Sequence, residues 1–400
     1  MKDIDGGITA PAGFRAGTAE CGIKVKGRPD LAVIVSDVTA SCAGMFTTNR
    51  IKGAPVLVSR ENVRKGTARA IIANSGNANV CNGEDGLAAA LSMTGETARL
   101  LGCSASGVLV ASTGVIGRKF PVDKVLNGIP VVIKNLSADG NSGVARAIMT
   151  TDTVPKETAI EIEIGDIPVK IGAVAKGAGM ICPDMATMFC FITTDANIDP
   201  PALRKALREA VDGSFNCITV DGDMSTSDTI FTLANGIAGN PLIRSRSRAF
   251  DIFSDGLNEV CLRMAKALVR DGEGTTRFIT IRVTGAAGKE EARQVGLSVA
   301  NSPLVKTAFF GSDPNWGRII CAAGYSGINV NESNITIAIN GTRLFEIGKV
   351  LTFDEQDMRK KLGSLDITVD IDLGMGQAES TIFTTDLSYE YIKINAEYTT

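Results

Sequence analysis

Apolar residues recur along the chain with two different periods, which predict two kinds of element. Spacing of three and four residues predicts helices over 86–101, 142–147, 199–213, 248–270 and 289–300. Short apolar runs between glycine, asparagine and proline positions predict strands at 31–35, 55–58, 70–73, 108–111, 188–192, 217–220, 278–283, 335–339 and 365–373, and further strands that begin at 159, 167 and 391. Helices and strands therefore follow one another along most of the chain.

The character of the chain changes after Glu273. A strand, a helix and a hairpin that turns at Asn340-Gly341 follow one another there. This order predicts an α+β C-terminal domain of about a hundred residues, which is within the usual size range. We place the boundary so that residues 1–275 form the first domain and residues 276–400 the second.

The composition predicts a soluble globular protein that acts on small molecules. Hydrophobic residues make up 44% and charged residues 21% of the 400 residues, which excludes a disordered chain. With 41 basic and 44 acidic residues the net charge is −3, so we expect neither nucleic acid nor a membrane surface as partner. No apolar run reaches the roughly 18 residues of a transmembrane helix. The first residues lack the apolar core of a secretory signal, so we expect a cytoplasmic protein.

The cysteines are expected to be free thiols rather than disulfides or metal ligands. There are nine, an odd number, and they are scattered without a Cys-x-x-Cys pair. The chain has no histidine that could complete a zinc site. We therefore expect no metal and no resident cofactor.

One stretch, residues 176–195, combines a turn and a strand in a way that suggests chemistry. Two glycines and a proline come before Thr187, and the apolar run 188–192 follows it. A hydroxyl at Thr187 could attack the carbonyl of Ala186 and leave Thr187 as the first residue of a new chain. Its free amine would then serve as the base for its own hydroxyl, and no histidine would be needed. On its residues alone, the stretch also fits an ordinary loop before a strand.

Three other polar segments have both a functional and a structural interpretation. The turn 112–117 follows a predicted strand, and its backbone amides could stabilise a developing negative charge or simply form a turn. The loop 74–79 could bind a ligand or cap the next helix. The acidic and hydroxyl side chains of 221–228 are interpreted as a solvated turn, because oxygen ligands alone are too common to indicate a metal.

Glu273 stands between two glycines at the predicted end of a helix. A carboxylate at that end opposes the helix dipole, which favours cations there. Either a positive group such as a substrate ammonium meets it, or it is an exposed residue of a turn.

The string Lys-Gly-Ala-Gly-Met-Ile-x-Pro-x-Met-Ala-Thr-Met, followed by Thr-Thr-Asp-Ala, resembles the self-cleaving segment of the ornithine acetyltransferase (glutamate N-acetyltransferase) family of arginine biosynthesis. Further matching motifs lie at 113–117, 150–153, 271–275, 311–318 and 391–400. The resemblance implies a four-layer αββα core, with a smaller α+β domain behind it. It also implies cleavage between Ala186 and Thr187 into chains 1–186 and 187–400, assembled as an α2β2 tetramer.

The reaction that the resemblance implies transfers an acetyl group from N-acetylornithine to glutamate through an acetyl-Thr187 ester, with ping-pong kinetics. Thr113 and Gly114 inherit the role of the oxyanion hole. The substrate-binding residues implied are Thr150, Lys176, Thr187, Glu273, Asn395 and Thr400. Thr151 and Thr153 are close rivals to Thr150 for the same role. The tail is expected to fold over the active site, whereas Trp316 is expected to pack.

Two alternatives follow from the same residues. An aminopeptidase or amidohydrolase would keep the cleavage and the amino-terminal nucleophile but would pass the acyl group to water. An uncleaved scaffold or binding protein would use the glycine-rich loops only as turns. The sequence also leaves open whether acetyl-CoA serves as a second acetyl donor.

Overall fold

A computed structural model describes residues 1–24, 26–182 and 188–397. The predicted cleavage site, Ala186 and Thr187, and the predicted substrate contact Thr400 lie outside the described residues. The first sheet contains β1 (Lys2–Asp3), β2 (Phe14–Ala19), β3 (Leu31–Phe46), β4 (Thr67–Asn74), β5 (Val108–Ser112), β6 (Lys156–Ile164), β7 (Ile167–Lys176), β8 (Phe189–Thr194) and β9 (Thr229–Ala234). The second sheet contains β10 (Phe278–Ala286), β11 (Thr336–Ile339), β12 (Thr342–Glu346), β13 (Lys349–Val350), β14 (Asp366–Asp372) and β15 (Ala378–Thr385).

The helices of the described residues alternate with these strands. They are α1 (Ala54–Val63), α2 (Gly83–Leu101), α3 (Val122–Lys134), α4 (Asn141–Ile148), α5 (Pro200–Asp212), α6 (Arg248–Arg270), α7 (Lys289–Ala300), α8 (Pro303–Phe310), α9 (Trp316–Gly324), α10 (Glu355–Lys361) and α11 (Tyr389–Glu397). Nowhere in the described ranges is a helix both long and apolar enough to cross a membrane.

The first sheet folds over on itself because one strand belongs to both of its halves. Its order is β1-β6-β7-β8-β9-β3-β4-β5, and β2 pairs with the free side of β3. The start of β3 pairs with β2 and β4, whereas its end, from Ser41, pairs with β9. The pairing of β3 with β4 shifts register between Val35 and Ala40, as at a bulge, and bulges bend strands. The two halves can therefore pack face to face.

Alternation along the strands assigns each side chain to one of three apolar layers. In β3, Leu31 and Val33 pack against α1, α2 and α3, whereas Ala32 and Ile34 lie between the two halves of the sheet. This division follows from the two-residue period of a strand.

Strand β8 shows the same alternation on the other half. Phe189 and Phe191 stack with their ring centroids 5.5 Å apart and lie between the two halves, where Phe191 also stacks on Phe231 at 5.8 Å. Cys190 and Ile192 pack on the outer side against α5 and α6. The order helix, sheet, sheet, helix confirms the predicted four-layer αββα fold.

The second sheet has its own apolar core. Its order is β13-β12-β11-β14-β10-β15, and α7, α8, α9 and α10 contribute to one buried cluster with it. Trp316 packs there on Phe345, with the rings stacked 5.1 Å apart, which confirms a packing role for this residue. The division of the chain at 275/276 stays a prediction.

Three predicted strands are wrong. Residues 55–58 belong to α1, because Gly53 in an extended conformation and Pro55 in the first turn start a helix there. Residues 217–220 form no strand; Thr219 pairs with Phe383 and Val220 with Ile181, so this segment lies between two different partners. The tail from 391 lies in α11, where the hydroxyl of Ser388 accepts the Tyr391 amide.

Candidate active site

The predicted site residues meet at a cavity formed by loops that are distant in the chain. Thr113, Gly114, Thr150, Glu273 and Asn395 all line it. They come from the loop after β5, the segment after α4, the turn after α6, and α11. Lys176 lies behind this lining, with only 1% of its surface exposed.

The loop after β5 is held by the loop after β4, since these two strands are parallel neighbours. The hydroxyl of Ser112 donates to Asn74 Oδ1 at 2.6 Å, and the amide of Thr113 donates to the Asn74 carbonyl at 3.1 Å. Gly114 has φ +124°, and a side chain there would overlap the backbone of Gly76. Only glycine fits at this position.

The loop 74–79 supports the loop after β5, and its Ala78 also lines the cavity, so a contact of this loop with a ligand stays a prediction. Its asparagines are buried, and Asn77 Nδ2 donates to the carbonyls of Arg118 and Lys119, both at 3.2 Å. At the start of α2, the side chain of Asn82 makes no cap hydrogen bond to the described residues. These contacts stabilise the loop that carries Thr113 and Gly114.

A buried ammonium determines the orientation of the Thr113 hydroxyl. Lys176 Nζ lies 2.6 Å from Thr113 Oγ1 and 5.1 Å from the centre of the Phe189 ring. A lysine ammonium has only donors, so Thr113 Oγ1 must accept this hydrogen bond, and its own hydrogen is available to a group in the cavity. A hydroxyl donor beside the Gly114 backbone is the arrangement that an oxyanion hole needs.

Burial makes the ammonium group of Lys176 easier to deprotonate. Burial lowers the pKa of the Lys176 ammonium to about 8, whereas the nearby carboxyl groups of Asp152 and Asp228 act in the opposite direction. The ammonium is therefore lost as the pH rises through about 8. A neutral amine could accept a hydrogen bond from Thr113 and draw its hydrogen away from the cavity.

A buried ion triad fixes the segment that carries Thr150. Lys156 Nζ lies 2.6 Å from Asp152 Oδ1 and 2.5 Å from Asp271 Oδ2. Asp152 also accepts the amides of Thr150 at 2.9 Å and Gly177 at 2.7 Å. Burial alone would raise the pKa of Asp152, but the ammonium groups of Lys156 and Lys176 and the hydrogen bonds outweigh it and lower that pKa.

Two of the three rival threonines line the cavity. Thr150 and Thr151 do so, whereas the hydroxyl and amide of Thr153 are bound to the carboxylate of Asp271. The structure thus gives Thr153 a structural partner, and the choice between the other two stays a prediction.

Glu273 joins three of the segments around the cavity. Its backbone amide donates to the Ala178 carbonyl at 2.9 Å, and its carboxylate lies so close to Gly179 that a side chain there would overlap it. Asn395 Nδ2 donates to Glu273 Oε2 at 2.9 Å. The tail thus reaches the site, as predicted for Asn395.

The interpretation of residues 221–228 as a solvated turn is wrong. Asp221 accepts the amides of Met180 at 2.6 Å and Ile181 at 2.9 Å, and the hydroxyl of Tyr391 at 3.3 Å. Burial raises the pKa of Asp221. Asp228 is completely buried, and Asp223, Ser225, Thr226 and Ser227 line the cavity. Within the described ranges, no group of three or more acidic or cysteine side chains is placed to hold a metal ion.

Three charged residues of the site have no such role predicted from the sequence: Asp152 and Lys156 have no predicted role, and Asp228 is predicted as part of a solvated turn. Asp152 lies within the motif 150–153, of which only the threonines are predicted to contact substrate. The partner of Lys156 across the triad is 115 residues away, and that of Asp228 is 40 residues away. Local sequence patterns contain no signal for such pairs.

Comparison with known proteins gives sequence matches over essentially the whole chain and a structural match over 52% of it. The model of a family described as the ArgJ family matches residues 15–400. The arginine biosynthesis bifunctional protein ArgJ of Symbiobacterium thermophilum is 46% identical over 402 residues, with 100% of both chains covered. The protein of the same description from Thermosynechococcus vestitus is 45% identical, covering 100% of this chain and 99% of that one. The crystal structure of arginine biosynthesis bifunctional protein argJ from Bacillus halodurans is 40% identical with a TM-score of 0.51, covering 52% of this chain and 98% of that chain.

Replacing Lys156 by methionine tests the buried triad. The substitution leaves Asp152 and Asp271 without their shared cation, so we expect the free energy of unfolding at neutral pH to fall by about 3–5 kcal/mol. The lowered pKa of Asp152 contributes stability above its ordinary pKa of 3.8, and this contribution is lost as the pH falls through the folded-state value. The deficit of the variant should therefore shrink in acid. Urea unfolding at several pH values measures both effects.

Lys361→Met is the matched control, because Lys361 forms an ion pair of the same four-residue spacing with Asp357 at 2.8 Å on the surface. We expect that variant to lose less than about 1 kcal/mol. Equal losses in the two variants, or a deficit in Lys156→Met that does not change with pH, would contradict the account of the triad.

Proposed function

The chain belongs to the ArgJ family, and we propose that it is an acetyltransferase of arginine biosynthesis that moves the acetyl group of N-acetylornithine to glutamate. The proposed nucleophile is Thr187, which the chain exposes by cutting itself after Ala186. The observation that carries the proposal is that Thr113, Gly114, Thr150, Glu273 and Asn395 line one cavity. A scaffold protein without an active site would not be expected to place these five residues around one cavity.

The proposed cleavage uses only the chain and one water molecule. The Thr187 hydroxyl oxygen attacks the carbonyl carbon of Ala186, the carbon–nitrogen bond breaks, and the hydroxyl proton ends on the nitrogen. Water then hydrolyses the ester. It leaves a carboxylate on Ala186 and restores the hydroxyl of Thr187, which now carries a free α-amine. The products are chains 1–186 and 187–400.

The transfer then proceeds in two half-reactions. The α-amine takes the hydroxyl proton while the Thr187 oxygen attacks the acetyl carbonyl, and the resulting oxyanion accepts hydrogen bonds from the hydroxyl of Thr113 and the amide of Gly114. The intermediate collapses, and the leaving ornithine nitrogen takes the proton. In the second half-reaction the amine of glutamate attacks the acetyl carbonyl, the bond between the acetyl group and the Thr187 oxygen breaks, and a proton from the amine restores the Thr187 hydroxyl. Ping-pong kinetics follow, because ornithine leaves before glutamate reacts.

The polar groups around the cavity support a charged amino-acid substrate. Glu273 presents a carboxylate for an ammonium group, while Thr150, Asn395 and Thr400 are proposed to contact the substrate. We also propose Lys176 as a substrate contact, through the α-carboxylate. Its hydrogen bond to Thr113 supports a second role, in which it orients the oxyanion hole.

Several features of the assembled enzyme belong to the same proposal. The two chains are proposed to remain together as an α2β2 tetramer in the cytoplasm. No cofactor is proposed. The relatives are described as bifunctional, which supports testing acetyl-CoA as a second donor to glutamate.

The release of ornithine from N-acetylornithine tests whether glutamate or water accepts the acetyl group. In the presence of glutamate we expect continuous release of ornithine and formation of N-acetylglutamate in equal amounts. Without glutamate we expect a burst of no more than one ornithine for each Thr187, because the acetyl ester waits for an amine. Chromatography of quenched samples measures both products.

Continuous ornithine release at the same rate with and without glutamate, with acetate as the second product, would overturn the transferase. That outcome would support the amidohydrolase, in which water accepts the acetyl group.

Lys176→Met separates the two roles of Lys176. Because the ammonium directs the hydroxyl of Thr113, we expect the variant to lose on the order of tenfold to a hundredfold in kcat, a loss typical of a weakened oxyanion hole. For the wild type we expect kcat to decline as the pH rises through about 8, where the ammonium is lost, and we expect no such decline in the variant. Steady-state kinetics across this pH range provide the measurement.

Lys205→Met serves as its control, since Lys205 also lies over an aromatic ring, 4.8 Å from the centre of Phe250, but outside the site. That variant should match the wild type. A Lys176→Met enzyme with normal kcat and raised KM for both substrates would contradict the orienting role and leave only carboxylate binding.

A further inference from the structure

The described lining of the active-site cavity is negatively charged. It contains three carboxylates, those of Asp221, Asp223 and Glu273, and within the described ranges no lysine or arginine side chain belongs to it. Lys176 lies behind the lining and is hydrogen-bonded to Thr113. The residues outside the described ranges include neither lysine nor arginine. A charged molecule that enters the cavity therefore meets an excess of negative charge.

The three carboxylates act together on one polar group of the cavity. Burial raises the pKa of the Tyr391 hydroxyl, and the charges of all three carboxylates raise it further. Tyr391 itself lines the cavity. The negative potential therefore extends into the cavity, where a substrate would lie.

The three carboxylates differ in the hydrogen bonds that they accept. Asp221 accepts hydrogen bonds from three backbone amides and from the hydroxyl of Tyr391. Glu273 Oε2 accepts one from Asn395. The carboxylate of Asp223 is exposed and accepts none from the described residues, whereas the backbone amide of Asp223 donates to Asp221 Oδ1 at 3.2 Å. Asp223 thus presents the carboxylate that stays open to a ligand.

The two proposed substrates differ in the charge at the end of their side chains. N-acetylornithine and glutamate share an α-carboxylate, but the side chain of the donor ends in an ammonium group and that of the acceptor ends in a carboxylate. A negative lining attracts the first side chain and repels the second. The shared α-carboxylate cannot discriminate between the two molecules.

We propose that Asp223 is a specificity-determining residue, whose carboxylate attracts the side-chain ammonium of the donor and repels the side-chain carboxylate of the acceptor. This inference rests on the proposed function. Because Asp223 is exposed, water and salt screen its charge, so the effect is moderate and weakens as the ionic strength rises. The opposite sign of the effect for the two substrates distinguishes charge selection from a general loss of activity.

Asp223→Asn removes the charge but keeps the shape of the side chain and the backbone amide that binds Asp221. In a ping-pong reaction, kcat/KM for each substrate depends on the half-reaction in which that substrate takes part, so the two effects are measured separately. We expect kcat/KM to fall about twofold to fivefold for N-acetylornithine and to rise about twofold to fivefold for glutamate. Steady-state kinetics at several salt concentrations provide the measurement, and both changes should shrink with added salt.

Two matched controls accompany this experiment. N-acetylnorleucine carries a methyl group in place of the donor ammonium, so its kcat/KM, or its inhibition constant where turnover is too slow, should be equal in the wild type and in Asp223→Asn. Asp166→Asn removes the same charge from an exposed turn between β6 and β7, outside the cavity lining. That variant should match the wild type with all three compounds.

An unchanged kcat/KM for either natural substrate in Asp223→Asn, or a change of the same direction for all three compounds, would overturn the inference. Asp223→Glu keeps the charge and should lie closer to the wild type than Asp223→Asn does for both substrates. A wild type that passes the acetyl group to water would remove the proposed function instead. In that case the comparison of N-acetylornithine with N-acetylnorleucine still tests whether Asp223 recognises the ammonium group.

Discussion

The candidate site depends on the hydrogen bond that Lys176 donates to Thr113. Lys176 ends β7 in one half of the folded sheet, and Thr113 follows β5 in the other half, so this bond joins the two central layers of the fold. A buried ammonium is costly, and the carboxyl groups of Asp152 and Asp228 reduce that cost. Lys176, Thr113, Asp152 and Asp228 come together only because the sheet folds over on itself.

The same fold explains why the cavity has walls from so many parts of the chain. The loops after β4 and β5 lie side by side because those strands are parallel, and Gly114 allows them to touch. The triad of Asp152, Lys156 and Asp271 joins the segment before β6 to the end of α6. Backbone contacts around Glu273 complete the wall, so the site is held by the packing of strand and helix ends rather than by one motif.

The periodicity of apolar residues correctly predicted the elements whose conformation depends mainly on their own sequence. The bounds of α6 and α7 agree with the predicted helices because each has a continuous apolar face. The apolar residues 55–58 are compatible with either a strand or a helix, and Pro55 in the first turn favours the helix. The short apolar run of the tail predicts a strand from 391, but the segment forms α11, which contacts Gly274 and Glu273, distant in the sequence.

In the site, too, the residues found from the sequence belong to local motifs, whereas those missed depend on partners far away in the chain. Thr113, Gly114, Glu273 and Asn395 could be placed by motif, and the structure brings them to one cavity. Asp228 and Lys156 could not be recognised, because each acquires its role from a partner that only folding brings near. The prediction for the loop 221–228 is wrong for the same reason, since its polar composition is typical of a solvated turn while Asp228 is buried and Asp221 accepts two backbone amides.

The intact mass of the purified, folded protein under denaturing conditions tests the central claim most directly, when it is measured beside Thr187→Ala. The account predicts two masses for the wild type, corresponding to residues 1–186 and 187–400, and a single mass of the full chain for the variant. One uncut chain in the folded wild type, or the same two fragments in the variant, would contradict a nucleophile that the chain makes for itself.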